Sequence, residues 1–194
     1  MPRPRSHSVD DLTAAAMAHF WAHGYGATSM EDLVAATGVS RHGIYAAFKD
    51  KRGLFRAALE AYRDAVVTPA FARVEAPGAD LAAVAAYYET QIARAEAAGL
   101  PGPGCLVVNT QTEPATHDPA VLDLVAAHNA RLHAGFLNAL ANAPLRAGAD
   151  LPALADTMVV FTQGLWATSR TVTDAAPLRR AVANFLSVLT QGPP

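Results

Sequence analysis

Between residues 28 and 51 the chain gathers hydrogen-bonding side chains at short intervals: Thr28, Ser29, Ser40, Arg41, His42, Tyr45 and Lys51. Such groups suit the recognition of a nucleic-acid duplex. Hydroxyls, phenols and ammonium groups hold phosphate oxygens, and a guanidinium reads a base edge. Arginine paired to guanine through two hydrogen bonds discriminates by about 1–3 kcal/mol. Lys51 opens a helix, where the positive end of the helix dipole and an ammonium converge on one anion. Signatures of catalysis are missing from the sequence: no Ser-His-Asp order, no G-x-S-x-G, no Gly-rich phosphate loop and no paired Glu-x-x-His. No enzyme is expected.

The elements that must present these groups are short. Residues 29–48 read S-M-E-D-L-V-A-A-T-G-V-S-R-H-G-I-Y-A-A-F. Ser29, followed by acids, starts one helix, which ends at Thr37-Gly38. Ser40 caps the next, over 41–47. Met30, Leu33 and Val34 give the first an inner face, Ile44 and Phe48 the second, and Val39 plugs the angle between them. Arg41, His42 and Tyr45 are left facing outward. This is the pattern of a helix-turn-helix, whose second helix enters the major groove. Two short amphipathic helices around a glycine turn also occur in all-α proteins with no DNA-binding role, and His42 then has only a surface role.

Glycine and proline punctuate the rest. A helix over 8–23 stops at Gly24 and Gly26. A longer one runs from Lys51 to about Thr68, where Pro69 breaks or kinks it. Ala76-Pro77-Gly78 makes a boundary. Helices follow over 79–98, 105–113, 119 to about 143, 151–170 and 177–190, with Pro114 ending the second of these and Pro119 in the first turn of the third. The fold class is all-α: an N-terminal three-helix domain over 1–50 and a helical domain over 51–194, about nine helices in total.

Composition agrees and excludes alternatives. Of 194 residues 44 are Ala, and 52% are hydrophobic while 16% are charged. Alanine favours helices, and so apolar a chain is not disordered. A single cysteine excludes a disulfide scaffold or a multi-thiolate metal site within one chain. No apolar run reaches the roughly 18 residues of a membrane span. The start, MPRPRSHSVDD, lacks the apolar stretch of a secretion signal, so a soluble cytoplasmic protein is expected. Net charge is -2 overall. It divides as +1 over residues 1–75 and -3 beyond, permitting a local anion-binding patch near the start. Arg3 and Arg5 read either as a solvated tail or as an arm that meets DNA.

Within residues 12–59 the pattern L-x7-F-x3-G-Y-x2-T-S-M-x2-L-x4-G-V-S-x3-I-Y-x2-F-x2-K-x2-L-F resembles the DNA-binding domain of TetR/AcrR-type transcriptional regulators. Downstream, G-C-L-V-V-N-T at 104–110 and H-D-P at 117–119 are similar to the regulatory domain of one branch of that family. The resemblance implies an all-helical homodimer whose heads bind a palindromic operator and whose second domain binds a small effector that releases DNA. It implies phosphate contacts for Thr28, Ser29, Tyr45 and Lys51, and base-facing positions for Ser40, Arg41, His42 and Gly43. Gly43 has no side chain, so Arg41 and His42 are the expected readers. One departure is Ala47, where the family often has His or Tyr on phosphate. Its loss either lowers affinity or shifts the load to Arg3, Arg5 and Lys49.

The second part is expected to hold an effector pocket, with candidates Tyr87, Tyr88, Asn109, Glu113, Phe136, Phe161, Gln163 and Trp166. Apolar walls with few polar groups make a binding site, but aromatics at helical spacing are also plain core. Little positive charge lies there, favouring a neutral or cationic apolar ligand over a large anion. Cys105 follows Gly-Pro-Gly near a helix start, where a thiol pKa falls and thiolate is reactive. An oxidant or electrophile sensor is one alternative, with any disulfide formed between chains, and a small buried hydrophobe is the other. His128 and His133, five apart, share no helical face, so no metal site is expected, and no cofactor. Two stripes, Leu154-Met158-Phe161-Leu165 and Leu178-Val182-Phe185-Leu189, fit either a four-helix interface across a two-fold axis or the chain's own core.

The expectation is a DNA-binding regulator, a homodimeric repressor released by a small molecule. Its rivals are a thiol sensor built on the same head and an all-α binding protein without DNA binding.

Overall fold

A computed structural model describes residues 8–113, 118–145 and 148–190. Arg3, Arg5, Pro114 and His117 lie outside these. Ten α-helical segments and one π-helical turn occur among the described residues, and no strand. Taking Lys51–Glu75 as one interrupted run leaves nine helices there. The chain is all-α.

Contacts divide it into two compact units. One comprises residues up to Ala65 together with Cys105–Val125, and the other Val66–Gly104 with residues from Ala126 onward. The packing units thus cut the chain at other places than residue 50. Helix α4 (Lys51–Tyr62) packs against α1 (Val9–His23), so the helix after the turn-linked pair joins the same core.

In the first unit α2 spans Met30–Thr37 and α3 Arg41–Phe48, eight residues each. Leu12, Ala16 and Phe20 of α1, Leu33 of α2, Ile44 of α3 and Leu54, Phe55, Ala58 and Leu59 of α4 are buried together. The ring of Phe20 stands edge-on to Phe55 with centroids 4.9 Å apart, and Trp21 meets Tyr62 at 5.0 Å. Helix α7 (Leu106–Thr110) adds Leu106, Val107, Asn109 and Thr110 to the buried residues, packing on α1 and α4. It is shorter than the 105–113 expected.

Pro69 does not end its helix. The backbone passes from α4 through a π-helical turn, Arg63–Val67, into α5, Thr68–Glu75. Proline lacks an N–H and its ring collides with the carbonyl four residues earlier, here Ala65. The wider π turn accommodates that collision one turn before the proline.

In the second unit α5 and α10 (Ala176–Thr190) both pack on α6 (Leu81–Ala98), and α10 also meets α9 (Leu151–Thr168). Helix α8 (Pro119–Ala141) supplies Leu132, Phe136, Ala139 and Leu140 to this core. Ion pairs tie the helices at their edges. Arg131 donates to both carboxylate oxygens of Glu75 at 2.6 and 2.7 Å, and Arg179 reaches Glu89 and Glu96 at 3.0 and 2.8 Å.

Of the two apolar stripes, Met158, Leu165, Leu178, Val182 and Leu189 are buried within one chain, and Phe161 stacks on Phe185 with rings 3.9 Å apart. They cover the chain's own core. The outward residues of these helices are others: Val160 and Val188 are 68% and 70% exposed.

Candidate functional site

The head's surface is built from caps. Ser29 precedes α2, accepts from Asp32 N at 3.1 Å, and receives the Asp32 carboxylate on its own N–H at 2.8 Å. This reciprocal box satisfies amides that a helix start leaves open. Hydrogen bonds from the Ser29 hydroxyl and amide hold the Asp32 carboxyl below its ordinary range. Gly38 ends α2 in the left-handed region, φ 69°, which a side chain disfavours. Ser40 caps α3, its hydroxyl accepting from Gly43 N at 3.2 Å.

Helix α3 turns Ile44 into the core and leaves Arg41, His42 and Tyr45 exposed. Gly43 is half-buried, and a Cβ there would stand 2.8 Å from Val39 Cγ1. Its bare backbone is what lets Val39 close the turn. Ala47 is exposed beside them.

Arg41 is held by neighbours. One guanidinium nitrogen lies 2.9 Å from Glu31 Oε1, and the other donates to the Tyr45 hydroxyl at 3.4 Å. The guanidinium also sits 5.6 Å from the Tyr45 ring centre. The Tyr45 hydrogen bond and then Glu31 raise its pKa, keeping it charged. Both ends of the ion pair are more than half exposed, so the pair is weak and can be exchanged for a base edge. Nothing in the spacing of Glu31 and Arg41, ten apart on different helices, announces this contact.

Lys51 and Thr28 turn inward more than expected. Thr28 is buried and donates its hydroxyl to Gly24 O at 2.6 Å. The Lys51 ammonium donates to Tyr25 O at 2.7 Å and Thr28 O at 2.5 Å, over the Tyr25 ring at 4.1 Å. Burial lowers its pKa, with Glu113 and Asp32 opposing. Two of its three protons are committed to the turn before α2, leaving one for an outside oxygen.

The effector candidates fall in both units. Tyr88, Phe136, Phe161, Gln163 and Trp166 belong to the second, Cys105, Asn109 and Glu113 to the first. Within the second, the Tyr88 ring lies 5.9 Å from Phe161 and 6.4 Å from Phe136, while Tyr87 is edge-on to Trp166 at 6.4 Å. The Tyr88 hydroxyl pairs with Thr162 Oγ1 at 2.7 Å, and burial pushes its pKa up. Gln163 donates to Asn129 Oδ1 at 3.1 Å. Asn109 is buried in the first unit. Glu113 accepts from Gly26 N at 2.8 Å, in the turn between α1 and α2. Its place in that turn was invisible to spacing, the two being 87 residues apart.

The expected low thiol pKa of Cys105 is overturned. Cys105 is the cap residue before α7, buried, and burial pushes its thiol up despite hydrogen bonds from Val108 and Tyr62. Desolvation outweighs the helix end.

Two other histidines, His19 and His23, lie four apart on α1 with rings 4.5 Å apart, a pair that helical spacing reveals. Burial and His23 lower the His19 pKa. His128 is pushed down to about 4 by burial, then by Arg131. Among the described residues no group of three or more His, Cys, Asp or Glu could hold a metal ion, and no helix is long and apolar enough to cross a membrane.

Comparison with known proteins agrees with the architecture. The family described as bacterial regulatory proteins, tetR family, matches residues 12–58, and the tetracyclin repressor-like C-terminal domain matches residues 80–185. The HTH-type transcriptional repressor ComR of Escherichia coli (strain K12) is 36% identical over 110 residues, 57% of this chain and 52% of that protein. The uncharacterized HTH-type regulator YezE of Bacillus subtilis (strain 168) is 27% identical over 130 residues, 64% of this chain and 63% of its own. The matched stretches thus span about half to under two thirds of these relatives. Among solved structures, a cysteine mutant of the TetR family transcriptional regulator CifR, complexed with 26-bp double-strand operator DNA, superposes with a TM-score of 0.79. It is 26% identical, with 97% of this chain and 100% of that one covered. With both of its parts matched, this chain belongs to the TetR family of bacterial regulatory proteins.

Proposed function

We propose that the chain is a cytoplasmic, homodimeric transcriptional repressor that leaves a palindromic operator when a small effector binds. Residues 1–50 act as the DNA-binding part and 51–194 as the regulatory part. The observation that carries this is the outward trio on α3: Arg41, His42 and Tyr45 stand exposed on a capped helix whose Ile44 is buried. Arg41 and His42 reach base edges from the N-terminal turn, and Tyr45, Ser29 and the remaining Lys51 proton face phosphate, while Thr28, buried with its hydroxyl on Gly24 O, shapes the turn instead. Ser40 and Gly43 shape the start of that helix, one as its cap and the other as the gap that Val39 fills. The solved CifR–operator complex, a neighbour across nearly the whole chain, supports DNA as the partner.

Two such heads read half-sites about 34–36 Å apart or a multiple of it. The exposed Val160 and Val188 of α9 and α10 support a dimer made through those helices. Tyr88, Phe136, Phe161, Gln163 and Trp166 supply the lining for an apolar effector in the second unit. Cys105 and Asn109, being in the first unit, act in the packing of α7 rather than on ligand. Effector release requires a ligand that binds one conformation better than the other.

The test is a gel shift on the DNA upstream of the coding sequence. Wild type should retard it with an affinity that falls steeply with salt. Arg41→Ala and Tyr45→Phe should weaken that binding. Unchanged retardation by both variants would sink the assignment of α3, and a monomer in solution would sink the dimer.

A further inference from the structure

We infer that Glu113, which lies beyond the three-helix head in sequence, is a positioning residue for the DNA-facing end of α2. The inference rests on the DNA-binding reading above. The turn from Gly24 to Thr28 carries Thr28 and Ser29, the residues that start α2. Its backbone is gripped by two side chains of opposite charge. Lys51, from α4, takes the carbonyls of Tyr25 and Thr28 at 2.7 and 2.5 Å. Glu113, just past α7, takes the N–H of Gly26 at 2.8 Å. The carboxylate and the ammonium also attract one another, which raises the Lys51 pKa against its burial.

The turn is shaped to admit that carboxylate. Gly24 has φ 84°, and a Cβ added there would lie 2.7 Å from Glu113 Oε1. A charged acceptor on a backbone N–H makes one of the stronger hydrogen bonds. Gripped on one side only, the turn would keep its carbonyls fixed but leave Gly26 free to rotate. The N–H groups that open α2 then lose a defined position. Because Ser29, exposed at that end, is a proposed phosphate contact, Glu113 sets its register without touching DNA.

The experiment uses the full chain with Glu113→Ala, Glu113→Gln and Glu113→Asp. Gln keeps an oxygen at the same reach, whereas Asp keeps the charge but is shorter by one methylene. Amide hydrogen exchange at Gly26 and Ser29 reads the turn. Anisotropy with upstream duplex and with unrelated duplex reads DNA. In the Ala variant Gly26 exchange should accelerate about tenfold, and upstream affinity should fall by a similar factor, the size of one net hydrogen bond. Affinity for unrelated duplex should fall by a comparable factor, since phosphate contacts are independent of sequence. Gln should restore both readouts, and Asp should resemble Ala, which covers an Ala variant that does not fold. Unchanged Gly26 exchange, faster exchange with unchanged upstream affinity, or failure of Gln to rescue overturns the inference. Wild type showing no preference for upstream DNA overturns the DNA reading instead, and exchange at Gly26 and Ser29 still decides whether Glu113 holds the turn.

Discussion

Helices α2 and α3 have eight residues each, whereas α6 and α9 of the second unit have eighteen. Isolated helices shorter than about 12–15 residues are marginal in water, so the short pair must draw stability from its ends and neighbours. Ser29 with Asp32, Ser40 and Gly38 supply those ends. The longer helices are capped too, α6 by Asp80 and α9 by Asp150, but add fully enclosed rings, Tyr88 on α6 and Phe136 on α8. The polar groups follow the same division. Those of α3 face out with weak, exchangeable partners, while Tyr88 pairs internally with Thr162 and Gln163 with Asn129. Helix α3 keeps its donors available, whereas Tyr88 and Gln163 spend theirs on cohesion. A surface that must meet phosphate cannot also be a core.

The sharpest blow to that contrast comes from the enclosed rings. Phe136 meets Phe71 edge-on at 5.3 Å, and Phe136→Ala should cost about 3–5 kcal/mol in urea unfolding. A loss under about 1 kcal/mol would show that the enclosed ring is not what holds this unit together.

His128 tests burial through pH. Its pKa is about 4 in the fold against an ordinary 6.5, so the folded chain keeps it neutral. Between those values the unfolded chain binds more protons. Stability from this group is therefore full above pH 6.5 and falls as pH drops toward 4, by on the order of 3 kcal/mol. Unfolding at about pH 7.5 and about pH 4.5 should show His128→Gln losing less than wild type. Equal losses would mean that the ring is solvated.

On the head, effects should appear in binding before stability. Arg41→Ala should weaken upstream DNA by about 1–3 kcal/mol while leaving the unfolding midpoint nearly unchanged. Tyr45→Phe should cost less and leave the salt slope nearly unchanged, since a neutral hydroxyl releases no counterion. A large stability loss from Arg41→Ala would show that its pair with Glu31 is structural.

The smallest expected effects compare the two strategies directly. Ser40→Ala removes a cap and should cost about 1 kcal/mol. Tyr88→Phe removes one buried hydroxyl pair and should cost a similar amount, about 1 kcal/mol. Calorimetry should show the two losses about equal, so DNA affinity is what separates end-capping from interior pairing. The contrast sharpens if only Ser40→Ala also loses DNA affinity.

Much of the head was readable because its signals are local. Ser29 and Ser40 as caps, Gly38 as the stop, Ile44 inward and Tyr45 outward all follow from neighbours within four residues. Elsewhere spacing left alternatives open, and forces that it does not carry decided among them. Pro69 displaced its disruption into the preceding turn instead of ending the helix. Met158, Leu178 and Val182 turned to their own core, since an apolar stripe says that a face is covered but not by what. Cys105 lost its expected acidity because burial, not the helix end, dominates there.

Residue order alone thus settled where α2 and α3 begin and stop, which of their faces are apolar, and that Arg41, His42 and Tyr45 share an outward side, because those outcomes are decided within one turn of backbone. Folding in three dimensions decided which distant groups meet: Glu113 with the Gly26 N–H across 87 residues, Arg131 with Glu75 across 56, and Glu31 with Arg41. Such pairings depend on how whole helices pack, and no short-range periodicity encodes that.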